Sequence, residues 1–242
     1  MMRKNYFIFA GVSSMECRTL LCQVNNEIAP KREMSFQGIP GRPGDIIIDQ
    51  DRWSNVKVKY TCAIIDNFQI HYNALKNSLY RHRGYQRLED TIHPGEFRMA
   101  VFSEPIEPKT ARYNNVGQFE LIFNCKPQRF LKSGEHEILF DGEGMLFNAT
   151  SFPAKPLITV YGTGAGTVNI GDFAVEVKEL DEPLILDCDN QNAYSIGGAE
   201  TVINKNAKIF APQFPELKPG ENRVRWSGDV TGLQIIPRWW II

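Results

Sequence analysis

Strong charge of either sign is missing from this 242-residue chain: 27 lysines and arginines face 28 aspartates and glutamates, a formal net charge of −1 at pH 7. That balance supplies no general attraction to phosphate backbones or anionic lipid, and it argues against tight nucleic-acid binding. Histidine is scarce, with four residues: His71 has no histidine or carboxylate at ligand spacing, and His82, His93 and His136 likewise read as isolated rather than as metal ligands. The five cysteines, Cys17, Cys22, Cys62, Cys125 and Cys188, are odd in number and form no CxxC pattern, which argues against zinc and fits reduced thiols. No apolar run approaches the ~18 residues that span a bilayer, so no membrane partner is expected. Tyr6 to Val12, after Arg3 and Lys4, looks like a signal core only superficially. Ser-Ser-Met-Glu-Cys follows it in place of a small-residue cleavage site, and a first strand over Asn5 to Phe9 is the expectation.

The motifs of covalent and metal chemistry are also missing. The chain has no GxSxG elbow, no HExxH and no cysteine with a nearby histidine, so a nucleophile would lack its base and its orienting group. Glu89 with Asp90, and Asp187 with Asp189, are the carboxylate pairs that could in principle cleave glycosides. Such pairs arise in any chain with 28 acids, and no catalytic residue is assigned. Asp45, Asp49 and Asp51 do not follow the EF-hand pattern. IPGRPGD (39–45) and the glycine string Gly162-Thr163-Gly164-Ala165-Gly166 lack the spacing, lysine and following helix of phosphate loops; they read as a tight turn and a flexible hairpin connection. No cofactor and no metal site are expected.

What is present is period-2 patterning. Phe119, Leu121, Phe123 and Cys125 alternate with Glu120, Ile122, Asn124 and Lys126, the signature of a half-buried strand, after which Pro127 removes a ladder donor and Lys132-Ser133-Gly134 forms a permissive junction. Two units follow from this, over 1–133 and 134–242. In the first, Thr19 to Val24 and Val56 to Cys62 are strands, and Ile28 to Phe36 is an extended excursion or hairpin rather than core. Cys62 and Cys125 share the apolar phase of their strands and act as small hydrophobes. Phe68, Tyr72, Leu75 and Leu79 mark one long helix, capped by Asp66 or Asn67, with Gly84 past its end. Tyr85 to Asp90 opens a new segment. His93-Pro94-Gly95 then turns the chain into a strand with Phe97, Met99 and Val101 on one face, and Asn114 to Gly117 turns into the Phe119 strand.

Beyond Gly134, eight short segments are expected as strands: His136 to Phe140, Met145 to Asn148, Pro156 to Tyr161, Thr167 to Ile170, Phe173 to Val177, Leu184 to Cys188, Arg223 to Trp226 and Leu233 to Ile236. Their spacing by Gly, Pro, Asn and Asp argues for two packed antiparallel sheets. Trp239 and Trp240 are the candidate sugar-contact residues, since aromatic faces bind the apolar faces of sugar rings. In a strand the two would point oppositely, which weakens that reading.

Taken in order, IPGRPGD (39–45), VKVKYTCAI (56–64), ALKNSLY (74–80), GYQRLED (84–90), FRMAVF (97–102), FELIFNCKPQRFLKSGE (119–135), FPAKPLITVYGTG (152–164), FPELKPGENRV (214–224) and LQIIPRWW (233–240) resemble the distal tail proteins of siphophages, the hub components of tail-tip baseplates. The resemblance implies a mainly β fold. Its N-terminal part would be a β-sandwich-like ring-forming domain (1–133) with one long helix and an extended hairpin. Its C-terminal part would be a galectin-like antiparallel β-sandwich (134–242) projecting outward. It further implies a structural, non-enzymatic component of the virion tail tip, synthesised in the bacterial host cytoplasm. The implied partners are its own copies in a hexameric ring, the major tail tube protein, a tail-associated lysin-type tip protein and a receptor-binding protein. DNA would pass the channel without specific binding. The alternative reading is a carbohydrate-binding module for host cell-wall sugars, resting on Trp226, Trp239 and Trp240. A tail-borne hydrolase has no residue in its favour.

Overall fold

The structure is a computed structural model, and it describes residues 4–25, 27–111 and 115–242. Arg3 of the signal-like stretch and Asn114 of the expected turn lie outside the described residues. The chain divides into two compact units, Met1–Arg129 together with Ile242, and Phe130–Ile241.

The first unit contains β1 (Phe7–Phe9), β2 (Val12–Ser13), β3 (Thr19–Asn25), β4 (Arg32–Gly38), β5 (Asp45–Trp53), β6 (Val56–Ile64), α1 (Phe68–Tyr80), β7 (Gln86–Asp90), β8 (Glu96–Phe102), β9 (Lys109–Ala111) and β10 (Val116–Cys125). Seven strands form an antiparallel sheet in the order β2-β1-β7-β8-β10-β6-β3, and β9 also pairs with β10. Its spine is β6 on β10, in unbroken register from Gly117 opposite Ile64 to Cys125 opposite Val56. Directly opposed residues share a sheet face, so this register puts the alternating sets Val56, Val58, Tyr60, Cys62 and Phe119, Leu121, Phe123, Cys125 on one buried side. Phe7, Phe9, Tyr60, Phe102 and Phe123 form its aromatic centre, with ring centroids 5.1 to 5.8 Å apart in tilted and edge-on contacts.

α1 is the one α-helix among the described residues and lays Phe68, Leu75 and Leu79 into that core. Its start differs from expectation. Asn67 stands at the N-cap in a left-handed conformation and makes no side-chain cap. The open amides are met instead by Asn115, whose side chain accepts from Asn67 N–H at 2.9 Å and whose carbonyl accepts from Phe68 N–H at 3.2 Å. Gly117 lies beneath the Phe68 ring, where any Cβ would come within 2.2 Å of it.

The expected face of β8 is reversed. Arg98, Ala100 and Phe102 are buried, while Phe97, Met99 and Val101 are half-exposed. EFRMAVF is apolar on both phases, so alternation alone does not choose between them. The pairing of Phe123 with Phe102 and of Cys125 with Ala100 does, because it aligns those residues with the core side of β10.

The chain then passes β11 (Arg129–Leu131) into the second unit, which contains β12 (Ile138–Phe140), β13 (Gly144–Asn148), β14 (Leu157–Ile170), β15 (Phe173–Leu180), β16 (Leu184–Asp187), β17 (Asn192–Ile196), β18 (Val202–Asn204), β19 (Ile209–Phe210), β20 (Gly220–Ile236) and β21 (Trp240–Ile241). Two expectations are corrected here. The glycine string is not a hairpin connection: β14 runs straight through it for 14 residues. Arg223–Trp226 and Leu233–Ile236 are parts of one 17-residue strand, β20. These two long strands pair with each other over most of their length, with register shifts at Tyr161/Gly162 and Gly162/Gly166.

The glycines permit the bend, because backbones approach there more closely than any side chain allows. A Cβ on Gly166 would lie 2.4 Å from the Ser227 carbonyl oxygen, and one on Gly228 would lie 2.4 Å from that of Ala165. Each long strand therefore serves two antiparallel layers. One holds β13, the first part of β20, the last part of β14, β15 and β19. The other holds β12, the rest of β20 and β14, β16, β17 and β18. Val168, Ile170, Val175 and Val224 from one layer meet Ile158, Val160, Leu186 and Ile235 from the other in one core. β17, β18, β19 and β21 are absent from the sequence expectation; β17 pairs on both sides, with β16 and β18, while β18 and β19 are short pieces at the sheet edges.

Candidate interaction surfaces

β4 and β5 form a two-stranded ribbon that joins neither sheet. IPGRPGD is its tip, a preset turn in which Gly41 and Gly44 both have positive φ. Charges hold the other end: Arg32 pairs with Asp49 and lies over the Trp53 ring, and Arg52 Nε is 3.4 Å from Glu33. Between tip and root the ribbon carries apolar side chains on both faces. The register opposes Phe36 to Ile47 on one face, and Gln37 to Ile46 and Ser35 to Ile48 on the other. Phe36 and Ile47 are 63% and 62% exposed, and Ile46 and Ile48 are 45% and 48% exposed. A contiguous exposed apolar surface of this kind marks a contact site. That the hairpin lies outside the core was legible in its mixed charges and Pro30; the two-sided character depends on the register.

The carboxylate pairs singled out in the sequence are engaged in structure. Glu89 pairs with Arg87. Asp90 is buried, accepts from the Tyr60 hydroxyl at 2.8 Å and accepts the backbone N–H groups of Ile92 and His93 at 2.9 and 2.8 Å. Burial and the Asp90 carboxylate push the Tyr60 hydroxyl well above its ordinary value, and burial lowers that of Arg98 nearby. Asp187 binds Arg238 Nη1 at 2.6 Å and Asn190 Nδ2 at 2.7 Å. Burial alone would raise its carboxyl, but those hydrogen bonds outweigh burial and hold it below the ordinary carboxylate range. Asp189 lies 3.9 Å from Lys155.

Trp239 and Trp240 pack against the core of the second unit. Trp240 stacks on Phe152 at 4.5 Å between centroids, and its Nε1 donates to the Pro153 carbonyl at 2.9 Å. The Trp239 carbonyl accepts from Leu131 N–H, and its backbone nitrogen would lie 2.3 Å from a Cβ on Gly134. Trp226 is a third partly buried ring against the same core. Among the described residues no group of three His, Cys, Asp or Glu side chains converges as a metal site would, and no helix is long and apolar enough to cross a membrane.

No family model matches the chain, and no curated protein sequence matches it. Solved structures do share its fold. The SPP1 Dit protein, described as a paradigm of the hub adsorption apparatus in Gram-positive-infecting phages, aligns with a TM-score of 0.73 at 12% identity, covering 99% of this chain and 100% of that one. A chain of the phage P2 baseplate in its activated conformation with Ca aligns at 0.57 and 8% identity, covering 97% and 98%. The corresponding baseplate with Sr aligns at 0.55 and 7% identity, with the same coverage. The mainly β chain, with one α-helix among the described residues and its antiparallel sheets, thus has the fold of the SPP1 Dit protein.

Proposed function

We propose that this chain is a structural hub subunit of a phage tail tip or baseplate. The observation that carries the reading is the extent of the fold likeness, which runs over 99% of this chain and 100% of the SPP1 Dit chain rather than over one β-sandwich alone. Six copies form a ring that joins the tail tube to a tail-associated lysin-type tip protein. The first unit builds the ring. The second, galectin-like, faces outward toward receptor-binding components. The chain performs no catalysis, and its channel passes DNA without gripping it, with lumen side chains neutral or acidic, because phosphate neutralisation by lysine and arginine is what creates binding.

The two-faced ribbon supports self-assembly. A ribbon apolar on one side could lie flat on its own body, whereas this one needs cover on both sides. Identical subunits joined head to tail around a closed axis give every ribbon the same neighbours. Sedimentation velocity on the purified protein tests the reading: a species of six times the chain mass, alone or with tube protein, is expected. A monomer that persists at high concentration in both conditions would overturn it.

A further inference from the structure

The second unit has an open sheet edge inside a groove of about 580 Å³, which none of the roles above uses. Its origin is a proline. β14 and β15 are joined by the two-residue turn Gly171-Asp172, flanked by the register partners Ile170 and Phe173. The pair that closes a two-residue hairpin exchanges both ladder bonds, so Phe173 and Val175 bond toward β14 and the residue between them, Ala174, directs its N–H and C=O to the other side. On that side β19 covers β15 at two positions, Phe210 opposite Glu176 and Ile209 opposite Val177. Continued by two residues, the same register would set Pro212 opposite Ala174. Pro212 has no N–H to give, and the chain bends away there. The groove left behind is lined by Ala174, Glu176, Phe210 and Glu216, and its far wall is Phe173 with Lys218, whose Nζ sits 5.6 Å from the ring centroid and 2.7 Å from Asp172.

We infer that this groove takes an extended segment of a partner polypeptide, added as a strand along Ala174 and carrying basic side chains at alternate positions. The backbone of Ala174 supplies the ladder bonds, as in other cases of strand addition to an exposed sheet edge. The charge of the lining selects the occupant. Asp172, Glu176 and Glu216 are set against the single cation Lys218, which already pairs with Asp172. Glu176 and Glu216 therefore face the groove without a cation of the lining beside them, and alternate lysines or arginines of an added strand would point at them. Phe210, 54% exposed and directly opposite Glu176, offers its ring to the aliphatic stem of such a side chain.

The test uses the full-length protein and a fluorescein-labelled Lys-Val-Lys-Val-Lys-Val hexapeptide, read by fluorescence polarisation, with an Asp-Val-Asp-Val-Asp-Val peptide and a labelled neutral hexasaccharide as comparators. The basic peptide is expected to bind saturably and to weaken as salt rises. Glu176→Gln combined with Glu216→Gln should lower its affinity about tenfold or more. Ala174→Pro removes the outward N–H and leaves the ladder to β14 intact. It should abolish binding while the melting temperature stays near that of the parent. If Ala174→Pro unfolds the unit, the double glutamine variant alone decides. No saturable binding of the basic peptide, equal binding of the acidic peptide, or binding of the hexasaccharide in its place each overturns the inference. Ring formation is measured separately by sedimentation, so loss of this groove and loss of the hub reading remain distinguishable.

Discussion

Burial raises the Cys125 thiol to about 12 and lifts Cys62 and Cys188 still further, with burial the largest cause in all three. A thiol held protonated inside a sheet behaves as a small hydrophobe and reacts slowly, since the thiolate is the nucleophile. Cys22 alone among the five is exposed. Brief iodoacetamide treatment at neutral pH should therefore label Cys22 and spare the others, with all five labelled in denaturant; native labelling of Cys62 or Cys125 would mean that the β6–β10 spine opens. The positions of Cys62 and Cys125 were legible from alternation alone. Asp187 was not: read as half of an acid pair with Asp189, it is instead bound by Arg238, a partner 51 residues away that no local pattern indicates. Its carboxyl lies below the ordinary value of 3.8. A depressed acid contributes stability that is present above the unfolded value and is lost as pH falls through the folded one. The second unit should therefore lose stability below about pH 4. Asp187→Asn should flatten that acid limb and cost on the order of 1–3 kcal/mol at neutral pH, measured by urea unfolding. An unchanged acid limb would remove Asp187 as its source.

The elements divide by how locally they are determined. Val56 to Ile64 and Phe119 to Cys125 have one apolar phase and were readable as strands; β8 is apolar on both phases and took its face from β10. The glycine string between Tyr161 and Thr167 was read as a connection because glycine usually marks a turn. In the folded unit the same residues are the bend of a continuous strand, where β14 and β20 approach too closely for side chains. Gly228 has a φ of +73° and is closed off by the Ala165 carbonyl. Gly228→Ala should cost at least about 1–3 kcal/mol, seen as a lower melting temperature of the second unit. Unchanged melting would contradict the bend's dependence on bare backbone. For the ribbon, the pairs Phe36→Ser with Ile47→Ser and Ile46→Ser with Ile48→Ser remove one apolar face each. Burying each such side chain is worth roughly 1.5–3 kcal/mol. Either pair should shift assembly to smaller species by sedimentation while monomer melting stays constant, because the ribbon contributes nothing to either core. If only one pair has an effect, the ribbon is covered on one side.

At the scale of the whole molecule, the near-neutral charge and the β patterning were readable from composition and motif. The overall fold followed from an ordered series of short motifs, none diagnostic by itself. The contacts of the proposed ring were not readable, because an interface between copies would leave only exposed apolar residues in a single chain, and sequence alone does not separate these from core. The ribbon is where folding makes that distinction. Electron microscopy of the purified protein in negative stain, alone and with tube protein, tests the central claim most directly. Annular particles with six-fold class averages and an open centre are the expected result; fields of isolated monomers under both conditions would contradict it.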